Sequence, residues 1–139
     1  MLLQGSVSKG AWKRLVWRIG LWLMGLMYIG VGVTHFAMPG PFVQIVPPYL
    51  PWPLALVYLS GVAEIGLGAG VLVERVRRLA AWGLCLLLIA VYPANLYMWT
   101  DNVSVDGTTL PGWFRPVRFV WQLLLLAWAW VYTRPRPAP

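Results

Sequence analysis

The sequence predicts an all-α membrane protein: a polytopic four-helix bundle, one domain over residues 1–139, with both termini cytoplasmic. Three observations carry that reading. Of the 139 residues, 60% are hydrophobic and 11% charged, and mean hydropathy is +0.68. A soluble domain this short has too much surface per volume to bury so much apolar matter, so lipid must be the solvent for much of it. The apolar residues fall into four runs, about 16–37, 53–73, 79–99 and 113–132, each near the ~20 residues a helix needs to cross ~30 Å of hydrocarbon. The basic residues sit at the ends of these runs, on alternate loops.

Each run is expected to be a helix because hydrocarbon offers the backbone no other hydrogen-bond partner. The first run is too long for a signal-peptide h-region, and no A-x-A-like site follows it. The turn ERVRR (74–78) is short, so the second and third helices should form an antiparallel hairpin. Pro93 should bend the third helix and free a carbonyl nearby. The segment 38–53, MPGPFVQIVPPYLPWP, holds six prolines and no charge. It reads as a non-helical stiff connector or a lid, with Phe42, Val43, Ile45 and Val46 at the interface. The tail TRPRPAP (133–139) reads as a short disordered end.

Orientation follows from charge. Lys9, Lys13, Arg14, Arg18, Arg75, Arg77, Arg78, Arg134 and Arg136 are nine of the eleven Lys and Arg residues, and all fall on one side. That side is expected to be cytoplasmic, in the plasma (inner) membrane. The net charge of +7 is thus explained by topology, and no nucleic-acid partner is expected. Ten Trp and six Tyr suit the two membrane interfaces. Cys85 stands alone, so thiol–disulfide exchange within the chain is excluded, and it reads as a small core residue.

Polar groups within membrane helices are costly and often functional. Here they are His35, Glu64, Asn95, Arg115, Arg118 and Gln122. At ~1.5 Å rise per residue, Glu64 lies ~16 Å along the second helix, near the midplane. All six fall in the outer half. A bundle that gathers them would hold one polar pocket, with Glu64 matched by Arg118 or His35. Glu64 is then either a structural pair or part of a ligand or proton site. Arg115 reads as an interface residue reaching for headgroups, and Asn95 and Gln122 as interhelical hydrogen-bond partners or site residues. One His, one central acid and no partner Cys give too few ligands for a metal.

The stretches GVGVTHFAMPGPFVQIVPPYLP (30–51), SGVAEIGLGAGVL (60–72), AVYPANLYM (90–98) and RPVRFVWQLLLLAWAW (115–130) resemble the DoxX-like small membrane proteins. The resemblance implies a four-helix bundle, with recurring polar positions at His35, Glu64, Asn95, Arg118 and Gln122. It also implies a link to membrane redox complexes, although a related branch contains receptor-assembly chaperones. With Cys85 alone, a redox role would act through a quinone or a partner protein.

Two functions follow as expectations. In the first, the chain is at most an accessory subunit of a quinone-linked oxidoreductase, with a quinone- or lipid-like ligand at His35, Glu64, Asn95, Arg118 and Gln122. Trp121 or Tyr92 would line its slot, and the partner would be a membrane or extracytoplasmic redox protein. In the second, it is a non-enzymatic scaffold or assembly factor. Catalytic residues are not assigned, and a homo-oligomer is left open. A solute transporter ranks last, because four helices are few for alternating access.

Overall fold

A computed structural model describes residues 2–136, with side chains from Lys9 onward. The expectation of a disordered tail falls in part on residues 137–139, outside the described residues. The chain is mainly helical. Its elements are α1 (Leu2–Ala37), α2 (Pro39–Gln44), α3 (Pro53–Leu72), α4 (Arg77–Ala90), α5 (Tyr92–Thr100), β1 (Ser104–Val105), β2 (Thr108–Thr109) and α6 (Phe114–Val131).

Helix α1 begins well before the apolar run expected at 16–37. No proline interrupts residues 2–15, and their Leu, Lys, Arg, Ala and Trp residues permit helix, so polarity ends the apolar run without ending the helix. The segment 38–53 is not wholly non-helical, as expected, but opens with α2. Pro39 and Pro41 lie in its first turn, where a backbone donor has no partner to lose. Trp52 takes a left-handed conformation (φ 50°) and Pro53 starts α3.

The third run is not one helix but two. Pro93 has no amide hydrogen for the carbonyl one turn earlier, and the chain breaks at Val91 between α4 and α5. Beyond α5 lies a small β-hairpin, a departure from the all-α expectation, in which Ser104 pairs with Thr109 and Val105 with Thr108. Its turn is Asp106-Gly107, both with positive φ (51° and 76°). That dipeptide between β-prone residues is a strong hairpin signal, overlooked because the hydrophobic runs dominate the sequence.

Three stretches are long and apolar enough to cross a membrane: Lys9–Ala37, Pro53–Leu72 and Arg77–Thr100. The last covers α4 and α5 together. Helix α6 is not among them, although a fourth spanning helix was expected there: Arg115, Arg118 and Gln122 dilute its first half. Only 28–33% of each spanning stretch is buried in the molecule. The outward faces carry Leu59 (65% exposed), Leu79 (75%) and Leu86 (65%). Apolar side chains thus cover the outside as well as the core, which marks a multi-pass membrane protein with lipid as the external solvent.

Helices α1 and α3 lie closest together. A Cβ at Gly68 would fall 2.8 Å from the Gly25 carbonyl oxygen, and a Cβ at Gly32 would fall 2.7 Å from that of Gly61. The two glycine pairs are seven residues apart on antiparallel helices, so the backbones touch twice, two turns apart. The apolar core lies toward one end. It contains Leu21, Met24 and Tyr28 of α1, Val71 of α3, Ala80, Ala81, Leu84 and Cys85 of α4, Ala129 of α6, and Tyr132.

At that end the helices are also tied by polar contacts. Arg77 donates to the carbonyls of Val71 (2.8 Å) and Leu72 (3.4 Å), the last turn of α3. Arg78 donates to the Thr133 carbonyl at 3.0 Å, and the Tyr132 hydroxyl to the Trp17 carbonyl at 3.0 Å. Carbonyls left open at the end of α3 and just beyond α6 thus find arginine donors, while the Tyr132 hydroxyl ties the chain beyond α6 to the middle of α1.

Gly68→Ala is expected to lower stability by about 1–3 kcal/mol, because the backbone opposite cannot yield. Gly66 has open space around a Cβ, so Gly66→Ala should be neutral or up to about 1 kcal/mol stabilising from helix propensity. Unfolding of the two variants in the same detergent checks the contrast.

Candidate functional site

The five candidate residues do not form one pocket. They form two clusters. The glycine contact brings His35 of α1 and Glu64 of α3 together, with His35 7% and Glu64 9% exposed. Asn95 of α5 and Arg118 and Gln122 of α6 form the second cluster.

In the first cluster the buried face of α3 is Val57, Gly61, Glu64, Gly68 and Val71. This spacing of three and four places Glu64 between the two glycine contacts, turned toward α1. His35 Nδ1 lies 2.9 Å from the Val31 carbonyl oxygen and 3.1 Å from Glu64 Oε2. A neutral imidazole carries at most one hydrogen at Nδ1. The carbonyl is the aligned acceptor, and Glu64 Oε2 has no hydrogen-bond partner. Tyr28, one turn from Gly32 on α1, is 4% exposed, and its hydroxyl is likewise buried without a partner. Buried polar atoms are almost always paired, so two such oxygens here are a cost that needs a reason.

A cover lies over this cluster. Phe42 of α2 stacks on the His35 ring, with centroids 3.9 Å apart and planes 21° from parallel. Phe42 was expected at the membrane interface; it turns inward because the short helix α2 folds back over α3. Gln44 then holds α2 to the hairpin. Its amide donates to Asp106 Oδ1 at 2.9 Å, and its carbonyl oxygen accepts from the Asp106 backbone amide at 2.8 Å. Sequence reasoning missed this clasp, since the two residues are 62 positions apart. It also passed over the unpaired Tyr28 hydroxyl, although Tyr28 shares the helical face of His35.

The second cluster is internally satisfied. Arg118 Nη2 donates to Asn95 Oδ1 at 2.7 Å, Asn95 Nδ2 to Gln122 Oε1 at 2.5 Å, and Gln122 Nε2 to the Leu88 carbonyl at 2.7 Å. That carbonyl sits in the turn before the break at Pro93, where a freed acceptor was expected. Arg118 therefore does not reach Glu64. It is held by Asn95 and lies over the Phe114 ring at 5.8 Å. Among the described residues, the ion-pair-distance contact of Glu64 is His35.

Two narrow clefts border this second cluster. One is lined by Asn95, Trp99, Phe114, Arg115 and Arg118, the other by Tyr92, Asn95, Leu96 and Phe119. Each holds about 10 Å³, room for about one water. Tyr92 lines the second of these water-sized clefts. Trp121 does not; it is 55% exposed and faces outward. His35 and Glu64 are metal-ligand types, but among the described residues no third His, Cys, Asp or Glu joins them.

A domain family of unknown function, DUF8561, matches residues 24–133, and the chain belongs to it. No curated protein and no solved structure matches the chain. The matched range contains both clusters, the α2 cover and the hairpin.

Asn95→Ala removes the central member of the satisfied network and leaves Arg118 and Gln122 each short of a partner. It is expected to cost about 1–3 kcal/mol. Chemical unfolding in detergent, followed by tryptophan fluorescence, measures it.

Proposed function

We propose that the chain is a four-span membrane protein, both termini cytoplasmic, with a ligand site at Tyr28, His35 and Glu64. The ligand class is a quinone or quinone-like headgroup on an apolar tail, and the chain serves a membrane redox complex as an accessory subunit. The observation that carries this reading is the pair of buried oxygens, Tyr28 Oη and Glu64 Oε2, that have no partner. The resemblance to DoxX-like proteins supports the redox context.

The chemistry suits the class. Quinone carbonyls accept hydrogen bonds, and they take up protons when the ring is reduced. The Tyr28 hydroxyl can donate, and Glu64 can hold a proton and pass it on. His35, beside Glu64, is a second group able to exchange a proton. Cys85 is a single thiol, so two electrons for a quinol would come from the partner. Entry requires α2 to lift, separating Phe42 from His35 and releasing the Gln44–Asp106 clasp. In this reading Asn95, Arg118 and Gln122 hold the helices in place and shape the wall. Helix α6 crosses the membrane with its two arginines near the outer headgroups.

A second reading has one observation in its favour. The Asn95–Arg118–Gln122 network satisfies itself, as interhelical hydrogen bonds in a scaffold or assembly factor do.

Mass spectrometry of lipid extracts from gently solubilised protein separates the two. Quinone is expected to co-purify with the wild type and to fall at least tenfold in Glu64→Gln and Tyr28→Phe. Wild type without quinone, or unchanged retention in both variants, favours the scaffold.

A further inference from the structure

At the end of the molecule opposite the α2 cover, two arginines from different segments converge on one indole, and a third lies one turn from it. Trp17 of α1 is half-buried. The guanidinium carbon of Arg77, at the start of α4, lies 5.2 Å from the Trp17 ring centroid. That of Arg136, beyond α6, lies 5.6 Å from the same ring. Arg14, also half-buried, is one turn earlier on α1. Tyr132 packs on Trp17 at 5.2 Å and anchors the Trp17 carbonyl.

Cations gathered on one ring repel unless an anion lies among them. The chain has four acidic side chains. Glu64 is in the other cluster, and Asp101 and Asp106 follow α5 at the far end. Glu74 is the acid at this end; it is exposed, and it makes no salt bridge among the described residues. Nor does helix capping use up the arginines. Arg77 gives its Nε and one Nη to the carbonyls of α3, leaving its other Nη free of such bonds.

We infer that Arg14, Arg77 and Arg136 around Trp17 form a binding site for the phosphate of an anionic phospholipid. The planar guanidinium fork fits phosphate oxygens bidentately. The position also fits a lipid rather than a free ion. The site lies where the apolar spans end, at headgroup level, between transmembrane helices, and basic pockets so placed hold anionic headgroups. Apolar surface leads away from it, with Leu79 75% and Val131 49% exposed, ready for acyl chains.

The test is native mass spectrometry of the full chain, loaded with an equal mixture of phosphatidylglycerol and phosphatidylcholine of the same acyl chains. The wild type should retain phosphatidylglycerol in clear excess. Arg136→Gln should cut that preference about fivefold; among the described residues Arg136 makes no hydrogen bond to a helix end, so the fold should stand. Arg77→Gln with Arg136→Gln should abolish it. Arg75→Gln, a charge of the same sign at the same end but away from Trp17, should retain it. Equal retention of both lipids by the wild type overturns the proposal. So does a loss in Arg75→Gln as large as in Arg136→Gln, which would mean diffuse charge attraction. A rise in melting temperature with inorganic phosphate equal to that with phosphatidylglycerol would also overturn it, because the ligand would then be the free anion.

Discussion

Contact between the backbones of α1 and α3 is possible only because glycines face each other at Gly25 and Gly68 and again at Gly32 and Gly61. With Cβ atoms there, each helix would stand farther from the other, and dispersion contacts, the main adhesive between helices in lipid, would weaken. Everything between the two contacts is fixed by them. Glu64 lies between Gly61 and Gly68 on the same face, so its carboxylate is carried into α1 and cannot turn to lipid. His35 is carried onto α3 in the same way: its Cβ is 2.8 Å from where a Cβ at Gly61 would be.

That geometry explains the division of labour between the polar clusters. The Asn95–Arg118–Gln122 group lies where the helix is broken. Pro93 leaves the Ile89 carbonyl without its helical donor, the chain breaks at Val91, and Gln122 donates to the neighbouring Leu88 carbonyl while Asn95 links Gln122 to Arg118. This network ties the broken helix to α6, and among the described residues none of its fully buried side-chain atoms lacks a partner. The Tyr28–His35–Glu64 group lies away from any break. The helices around it are continuous, two of its oxygens remain without partners, and Phe42 covers His35. Burial without satisfaction costs free energy, a cost that the proposed ligand would offset. The same contrast holds between the two ends. At the basic end arginines cap helix carbonyls and crowd one tryptophan, whereas at the other a glutamine and an aspartate clasp a short helix to a hairpin.

Much of this was legible in the sequence. Hydrophobic runs and charged loop ends gave three of the four expected spans near where the long apolar stretches lie, because hydrocarbon imposes a length and a composition on whatever crosses it. The rarity of polar residues in those runs singled out, for the same energetic reason, the side chains that form the two clusters. The pairing of those side chains was less legible. Arg118 was as good a partner for Glu64 as His35 on depth alone, and depth is all that a single sequence supplies. Rotation of each helix about its axis decided the matter, and that rotation follows from which glycines meet.

By itself, then, the sequence determined the solvent, the approximate spans, the basic end and the short list of polar residues, since each depends on composition along a line. The tertiary structure alone decided that the list splits in two, that Phe42 covers His35, that Gln44 meets Asp106 across 62 positions, and that two arginines meet over Trp17. Those contacts join residues from different helices. They depend on backbone approach at the glycines, the break at Pro93 and the turn at Asp106-Gly107, which fix distances and rotations that no periodicity along the chain encodes.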